Sequence, residues 1–242
     1  MRLVFASNNA HKLSEVRAMM PEGIEVLSLK DIGFEAEIEE TGETLEENSL
    51  IKAQTVWDWI VESRKSKVES IDGVFADDTG LEIDALNGEP GVYTARWYRR
   101  EPTLECSTDV HWKSDRAELF TRKGKEMTDE MLNFHCNRAK ALRELEGKEN
   151  RGCQFRTVIT LIRKPTPSLP KGKELMQVEG VVRGRIAEEE YGEGGFGYDP
   201  VFIPEGYDKT FGELPAELKN SISHRARAIQ ELVKVLNDRM MD

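Results

Sequence analysis

Short apolar runs alternate along the chain with stretches of helical periodicity, and this alternation constrains the fold more than any other feature. Residues 3–6 are apolar, a polar loop follows, and apolar residues then recur at helical spacing over residues 13–20. Strands that alternate with helices in this way are typical of proteins built around a buried sheet. The order of strand, loop and helix therefore predicts an α/β protein.

The same patterns predict the other elements. Thr44 and Glu47 have the spacing of a capping box, which should begin a helix over residues 45–62. Two alternating segments at 155–162 and 175–186 are expected to pair antiparallel as a hairpin. The remaining predicted strands are 24–29, 74–76 and 201–203, and the remaining helices are 129–145 and one carrying Ile229 and Leu236.

The chain is predicted to form a single domain over residues 1–242, with no internal repeat and no low-complexity linker. From about residue 98 to 127 the sequence becomes polar, charged and aperiodic, although helical spacing returns at residue 129. This stretch is interpreted as an insertion into the domain.

Composition excludes some classes of function. The chain has 38% hydrophobic residues but no apolar stretch near the roughly 18 residues needed to cross a bilayer, so we expect a soluble protein with no membrane partner. Its 34 basic and 45 acidic residues give a net charge of −11, which disfavours nucleic acid as a partner. A nucleotide remains possible, because a small anion needs only a few well-placed cations, backbone N–H groups or a metal.

The cysteines suggest a compartment. Cys106, Cys136 and Cys153 are odd in number and not closely spaced, which indicates neither a disulfide framework nor a zinc ribbon. A reducing, cytoplasmic location is therefore the expectation.

Two polar groups in the first quarter of the chain could bind phosphate or metal. The first lies between a strand and a helix, where the N–H groups of a helix start favour an anion, although an ordinary helix cap would use the same residue types: Ser7, Asn8, Asn9, Ala10, His11 and Lys12. In the second, Glu39 and Glu40 precede Asn48 and Lys52, which are four residues apart on one helix face. Its acids could equally be surface residues.

Asp77 and Asp78 follow the apolar run 74–76, so they are predicted to stand at the carboxyl end of a short buried strand. Ligands of α/β sheets bind at such ends. One carboxylate could bind a hard cation or accept a proton from an attacking water, whereas the alternative is that both aspartates cap a turn.

Two groups near the carboxyl end could contact a base. The segment 194–200 is rich in glycine and contains Phe196, which could stack on a base, or the segment could be a flexible turn. Ser223 could cap a helix, and His224 and Arg225 could donate hydrogen bonds to a carbonyl oxygen or phosphate. A second set has no standard metal-ligand spacing and is not taken as a metal site: His111, Trp112, His135 and Cys136.

Read in order, these groups closely resemble the inosine triphosphate pyrophosphatase family, also described as dITP/XTP pyrophosphatases. Five segments carry the resemblance and span nearly the whole chain apart from about residues 98–127: SNNAHK, EETGETLEENSLIKA, ADDTGLEIDALNGEPGVYTARW, GGFGYDPVF and KNSISHRARA. The resemblance implies a two-lobed mixed α/β fold around a long curved mixed sheet, an active site in the central cleft, and a homodimer. It further implies Mg²⁺-dependent hydrolysis of ITP, dITP and XTP to the monophosphate and pyrophosphate.

The resemblance also implies a role for each matching residue. The segment from Ser7 to Lys12 would hold the triphosphate, with Lys52 nearby, and Asp78 would accept a proton and bind metal with Glu39 or Glu40. Thr79 stands where a serine is more usual, and Asn8 stands where a glycine is common. Phe196, Gly197, Tyr198 and Asp199 would form the base and sugar pocket, and Lys219, His224 and Arg225 would read the base edge by donating to the 6-oxo group. Guanine shares this group, so its exclusion has to come from the 2-position.

Two other functions fit parts of this pattern. A pyrophosphatase of the Maf type, acting on modified pyrimidine or other nucleotides, would also release pyrophosphate. A nucleotide-sensing module would need the acidic groups to be lost, but Asp78, Glu39 and Glu40 are all present. The sequence therefore favours an enzyme that removes deaminated purine nucleotides from the nucleotide pool.

Overall fold

The structure, a computed structural model, describes residues 1–63, 70–100, 129–164 and 172–238. These residues group into two compact units. The first contains the described residues within 1–80, 155–182 and 217–242, and the second contains those within 81–154 and 183–216. The proposed insertion at 98–127 lies almost entirely outside the described residues.

Strands and helices are numbered in chain order. The strands are β1 (Arg2–Phe5), β2 (Glu25–Leu27), β3 (Gly73–Ile83), β4 (Pro90–Gly91), β5 (Gly152–Arg163), β6 (Glu174–Ile186) and β7 (Phe202–Pro204). The α-helices are α1 (Ala10–Met19), α2 (Leu29–Ile32), α3 (Leu45–Ser63), α4 (Asp129–Glu144), α5 (Ala216–Ile222) and α6 (His224–Asp238). Short 3₁₀ turns occupy Asp84–Leu86 and Trp97–Arg100.

The described strands form one mixed sheet in the order β2-β1-β3-β5-β6-β7, with β4 paired to β3. Strand β1 runs parallel to both β2 and β3, whereas β4 is antiparallel to β3 and β7 is antiparallel to β6. The two segments predicted to form a hairpin are neighbours in the sheet as β5 and β6. A mixed α/β fold, as predicted, is confirmed.

In the first unit both faces of the sheet are buried. Successive side chains of a strand point to opposite faces, and each face packs on helices. One face packs on α3 through Val4, Ala6, Val74, Ala76, Val56 and Trp57. The other face packs on α1 and α6 through Leu3, Phe5, Phe75, Val16, Ile229 and Leu232. Burial on both faces explains why these strands appear in the sequence as continuous apolar runs.

In the second unit, an aromatic pair packs at β7. The rings of Phe202 and Phe211 lie 5.1 Å apart, and both are fully buried. Arg183 of β6 donates to the Asp84 carboxylate at 2.8 Å. This unit therefore has buried aromatic packing of its own.

Local signals for helix starts were reliable. Thr44 Oγ1 accepts from the Glu47 N–H at 3.1 Å and the Glu47 carboxylate accepts from the Thr44 N–H at 3.2 Å, so the predicted capping box is confirmed. Ser223 likewise caps α6, since its Oγ accepts from the Ala226 N–H at 3.2 Å. The segment predicted as one strand over residues 24–29 is instead the short β2 followed by α2, which begins at a second capping box formed by Ser28 and Asp31.

The prediction that Asp77 and Asp78 stand at the end of a short strand is wrong. Strand β3 continues for 11 residues from Gly73 to Ile83, so both aspartates lie in its middle. Two adjacent aspartates followed by threonine and glycine have the composition of a turn. The strand continues because Asp77 and Asp78 each pair with buried cations, which come from distant parts of the sequence. Local sequence patterns do not show such pairs.

Among the described residues, Cys153 is a buried free thiol, and burial raises its pKa to about 12. Cys136 is disulfide-bonded, which the sequence did not predict. No helix within the described ranges combines the length and the apolar character needed to cross a membrane.

Candidate active site

Asp77 and Asp78 point to opposite faces of β3, because side chains of a strand alternate. Asp77 shares its face with Thr79 and contacts residues of α1 and α6, whereas Asp78 contacts α3. The two adjacent acids are therefore neutralised separately, one on each side of the sheet.

Asp77 lies in a buried network of charges. Its Oδ1 accepts from Lys12 Nζ at 3.0 Å and its Oδ2 accepts from Arg225 Nε at 3.0 Å, and the side chains of Asp77 and Arg225 are only 1% and 2% exposed. Arg225 also donates to Glu15, which accepts from Lys219 Nζ at 2.8 Å. Burial alone would raise the pKa of Asp77, but Lys12 and Arg225 outweigh it and hold that pKa well below its usual range.

Asp78 forms a second buried cluster with α3. Lys52 Nζ donates to Asp78 Oδ1 and to Glu40 Oε1, at 2.8 Å in each case, and Asn48 Nδ2 approaches Asp78 Oδ2 at 3.5 Å. Burial raises the pKa of Asp78 in spite of Lys52. Burial lowers the pKa of Lys52, but Asp78 and Glu40 outweigh it, so that pKa is raised and the ammonium stays charged.

The loop before α3 distinguishes the two glutamates. Glu40 reaches Lys52, whereas Glu39 is exposed to solvent. The loop is held down where the Gly42 N–H donates to Asn48 Oδ1 at 2.8 Å, and a Cβ at this glycine would lie 2.6 Å from the Cβ of Glu47. A glycine is needed for this close approach, and Glu40, two residues earlier in the same loop, reaches Lys52.

The segment 7–12 forms the turn from β1 into α1. Asn9 is the N-cap, and its side chain accepts from the Lys12 N–H at 3.0 Å, so the capping interpretation of this segment is correct for Asn9. Asn8, Ala10 and His11 are exposed. The same helix start presents N–H groups that favour an anion, and Lys12 is a residue of the first turn.

Thr79 connects Asp77 to His224. Its Oγ1 lies 2.8 Å from Thr157 Oγ1 on β5, which in turn lies 2.6 Å from His224 Nδ1 at the start of α6. Burial, then the cations of Arg225 and Lys219, put the pKa of His224 well below its ordinary value, so the imidazole is neutral at pH 7.

In the second unit, residues 195–199 form a tight loop. Gly195 has φ +72°, and a Cβ there would lie 2.0 Å from Asp199 Oδ2, which accepts from the Phe196 N–H at 2.8 Å. Tyr198 is buried and donates to the Thr94 carbonyl at 3.3 Å. Arg138 of α4 donates to the Gly197 carbonyl at 2.7 Å. A glycine with positive φ and these hydrogen bonds thus define the conformation of the loop that carries Phe196.

The residues present fit a hard cation at one place. Among the described side chains no group of three or more His, Cys, Asp and Glu residues is arranged to hold a metal ion. Glu40 and Asp78, however, both contact the Lys52 ammonium, so two carboxylates already converge on one positive charge. Mg²⁺ is commonly held by one or two carboxylates together with waters and substrate phosphates, and this pair matches that pattern.

The structure brings most predicted residues of the first unit into contact. Asp78, Lys52 and Glu40 form one cluster, and Lys12, Lys219 and Arg225 join another around Asp77 and Glu15. The sequence interpretation missed two residues that these contacts depend on, Glu15 and Thr157. It noted Asn48, which lies four residues before Lys52 on a predicted helix, and Asp77, but not the buried contacts that either makes.

Comparison with known proteins gives a consistent result. The family model described as "Ham1 family" matches residues 3–117 and 122–235. A protein of Flavobacterium johnsoniae named dITP/XTP pyrophosphatase is 41% identical over 236 residues, which cover 98% of each chain. A Bacillus subtilis protein of the same name is 40% identical over 236 residues, covering 96% of each chain.

Solved structures agree. The Staphylococcus aureus Ham1 protein matches with a TM-score of 0.68 and 32% identity, covering 99% of this chain and 100% of that one. A HAM1 protein from Coxiella burnetii matches with a TM-score of 0.68 and 30% identity, covering 98% and 99% of the two chains. The family model and the relatives span nearly the full length, so this chain belongs to the Ham1 family.

Proposed function

We propose that this protein hydrolyses deaminated purine nucleoside triphosphates (ITP, dITP and XTP) to the monophosphate and pyrophosphate. The observation that carries the proposal is the buried cluster in which Lys52 bridges Asp78 and Glu40 at 2.8 Å each. The relatives named dITP/XTP pyrophosphatase support the choice of substrate.

The start of α1 would bind the triphosphate. Its N–H groups and Lys12 offer positive charge, and the first turn of α1 contains no acidic residue to oppose an anion. Asp77 holds the Lys12 ammonium at 3.0 Å, which fixes this cation in place before the nucleotide arrives. The residues from Ser7 to Lys12 thus provide a preorganised phosphate site.

Asp78 would act on the attacking water. Its carboxylate is buried, and its pKa is raised, which makes it a better proton acceptor than an exposed aspartate. Asn48 and Lys52 fix its orientation. Attack of the oriented water on the α-phosphorus then releases pyrophosphate, whose charge Lys12 and Lys52 would offset.

Mg²⁺ would be held by Glu40 and Asp78, the two carboxylates that converge on Lys52. When bound, the cation would polarise the phosphate oxygens and offset charge on the leaving group. Glu40 is proposed as the second metal contact rather than Glu39, because Glu40 reaches Lys52 whereas Glu39 is exposed.

Selectivity for the base would come from two places. Phe196, whose N–H donates to Asp199, would stack on the base, and Lys219, His224 and Arg225 would read the base edge. The Lys219 and Arg225 side chains are already paired with Glu15, so their donors are preoriented. Adenine would present an amino group where the 6-oxo group is expected, leaving buried donors unpaired, which can discriminate by roughly 10⁴-fold.

The homodimer, the cytoplasmic location and the placing of the active site in a cleft between two lobes stay predictions. So does the interpretation of residues 98–127 as an insertion into a single pyrophosphatase domain. Size-exclusion chromatography with light scattering would compare the full chain with a variant lacking residues 98–127. It would test both the homodimer and the interpretation of this segment as an insertion.

A nucleotide panel tests the proposal directly. We expect ITP, dITP and XTP to be hydrolysed in the presence of Mg²⁺ with release of pyrophosphate, and ATP to be turned over about 10⁴-fold less efficiently, because its 6-amino group opposes the donors. The measurement separates pyrophosphate from orthophosphate for ITP, dITP, XTP, GTP, ATP, dTTP and UTP. Preference for a pyrimidine would favour the Maf-type alternative, and release of orthophosphate alone would exclude a pyrophosphatase.

Paired glutamine variants test the metal site. Glu40→Gln should raise the Mg²⁺ concentration needed for half-maximal activity at least about 10-fold, because it removes one of the two carboxylates on Lys52. Glu39→Gln makes the same chemical change one residue away on an exposed side chain and should change this concentration little. A larger effect in Glu39→Gln than in Glu40→Gln would reverse the assignment.

A further inference from the structure

A continuous line of hydrogen bonds joins the buried carboxylate of Asp77 to the imidazole of His224. Asp77 Oδ2 lies 3.5 Å from Thr79 Oγ1, which lies 2.8 Å from Thr157 Oγ1, which lies 2.6 Å from His224 Nδ1. Thr157 is fully buried, and His224 nearly so. The line crosses three elements, β3, β5 and α6, and lies wholly within the first unit.

The charge at one end of the line sets the direction of its protons. Asp77 is ionised, because Lys12 and Arg225 donate to it, so it can only accept. Each threonine hydroxyl has one proton to give. If Thr79 donates to Asp77, Thr157 donates to Thr79 and the imidazole must donate to Thr157.

The opposite orientation of these hydrogen bonds is less favourable. It would turn the Thr79 proton away from the carboxylate, leave that contact unmade, and point every dipole of the line away from the negative charge. Hydrogen bonds aligned toward an anion reinforce one another in a buried environment. Arg225 Nη2, at 3.4 Å from Thr79 Oγ1, can donate to the same oxygen in the favoured arrangement. This orientation of the hydroxyl groups favours the imidazole proton on His224 Nδ1.

Packing also fixes the position of the His224 imidazole. The ring of Phe155 lies 4.7 Å from the imidazole at an interplanar angle of 30°. On β6, a Cβ at Gly180 would lie 2.2 Å from the His224 carbonyl, so a glycine lets the start of α6 come this close to the sheet. Packing fixes where the imidazole lies, and the two threonines fix which nitrogen is protonated.

We propose that Thr157 is a positioning residue which, through Thr79 and Asp77, holds His224 as the Nδ1–H tautomer, so that Nε2 accepts a hydrogen bond from the N1–H of a 6-oxopurine. The use of this lone pair rests on the proposed function, in which His224 reads the base edge. Deamination changes a purine at two positions: the 6-amino group becomes an oxo group, and N1 gains a proton. Lys219 and Arg225 offer donors for the first change, and His224 offers an acceptor for the second.

This arrangement differs from the simple expectation that His224 donates to the 6-oxo group. Adenine would place the lone pair of N1 against the lone pair of Nε2, a second mismatch besides that at position 6. Guanine carries the same N1–H as hypoxanthine, so this contact does not discriminate against GTP.

The tautomer can be measured without nucleotide or activity. In protein labelled with ¹⁵N and ¹³C at histidine, the His224 signals are assigned by their loss in His224→Gln. We expect the Nδ1–H pattern in the unmodified protein from pH 6 to 8. In Thr157→Val, which keeps the shape but removes the hydroxyl, we expect a shift toward the Nε2–H form that free histidine prefers, and Thr157→Ser should restore the original pattern.

Thr160 supplies a matched control on the same strand. It is as fully buried as Thr157, but its hydroxyl contacts Ser49 and Gln177 rather than a histidine. Thr160→Val should therefore leave the His224 pattern unchanged. An Nε2–H pattern in the unmodified protein, or an unaltered pattern in Thr157→Val, would overturn the tautomer assignment.

Kinetics test the second half of the proposal. Thr157→Val should raise KM for ITP about 10-fold, the value of one hydrogen bond to a neutral partner, with a smaller effect on kcat and on ATP hydrolysis. If the tautomer shifts but the ITP to ATP preference does not change, the contact with N1–H is refuted. If the unmodified protein does not hydrolyse ITP, the proposed function fails while the spectroscopic result on His224 still stands or falls by itself.

Discussion

Asp78→Asn should lower kcat for ITP by roughly 10³-fold, within the 10²- to 10⁴-fold range typical of a general base. The substitution keeps the size of the side chain and one oxygen for Lys52, but removes the carboxylate that would accept a proton from water and bind Mg²⁺. Pyrophosphate release under saturating nucleotide and Mg²⁺ measures the effect. Saturation matters because a loss of metal affinity alone would otherwise be mistaken for a loss of chemistry.

Two further measurements separate this result from a loss of folding. The urea midpoint of Asp78→Asn should stay close to that of the unmodified protein, since Lys52 keeps its contact with Glu40. Asp208→Asn, the same change at an exposed bend, should alter neither kcat nor the midpoint. Turnover by Asp78→Asn within a few-fold of the unmodified enzyme would remove Asp78 from the proposed mechanism.

Much of this fold could be predicted from local sequence. Helix α3 begins at the capping box that Thr44 and Glu47 form, and apolar runs marked the strands of the buried sheet. The extent of β3 could not be predicted in this way, because Asp77 and Asp78 continue the strand only with the help of Lys12, Lys52 and Arg225. Those cations come from three helices far apart in the sequence, so the compensation exists only after folding.

The candidate site shows the same limit. Resemblance to a family pointed to Asp78, Lys52 and the acidic pair as candidates, but only the structure shows that Glu40 reaches Lys52 whereas Glu39 is exposed. Thr157 gave no signal, because a threonine in a β-strand is ordinary and its contact with His224 joins residues 67 positions apart. Residues that bind ligand leave patterns in sequence more readily than the residues that hold them in place.

We expect replacement of Asp77 to lower the stability of the fold strongly, whereas replacement of Asp78 should mainly lower turnover. Asp77→Asn leaves the Lys12 and Arg225 cations without their shared carboxylate, and breaking a buried ion pair on one side typically costs 3–5 kcal/mol. For a chain of this size that corresponds to a fall in Tm of about 10 °C. Urea and thermal unfolding at pH 7 measure it.

Glu25→Gln is the matched control, since Arg2 and Glu25 form a pair at nearly the same distance, 2.9 Å, but with side chains 46% and 57% exposed. Because water screens such a pair, its loss should cost less than about 1 kcal/mol. Equal losses in the two variants would mean that the burial of Asp77 contributes nothing.

The pH dependence of the free energy of unfolding tests whether the loss in Asp77→Asn comes from the charge of Asp77. The pKa of Asp77 is depressed in the folded protein, so its contribution to stability is fully present above the ordinary aspartate pKa of about 4 and is lost as pH falls below that value toward the folded-state pKa. The free energies of unfolding of Asp77→Asn and the unmodified protein should therefore differ most near pH 7 and converge in acid. A difference that stays constant from pH 7 to pH 3 would attribute the loss to packing rather than to the charge that lets β3 carry two aspartates in its middle.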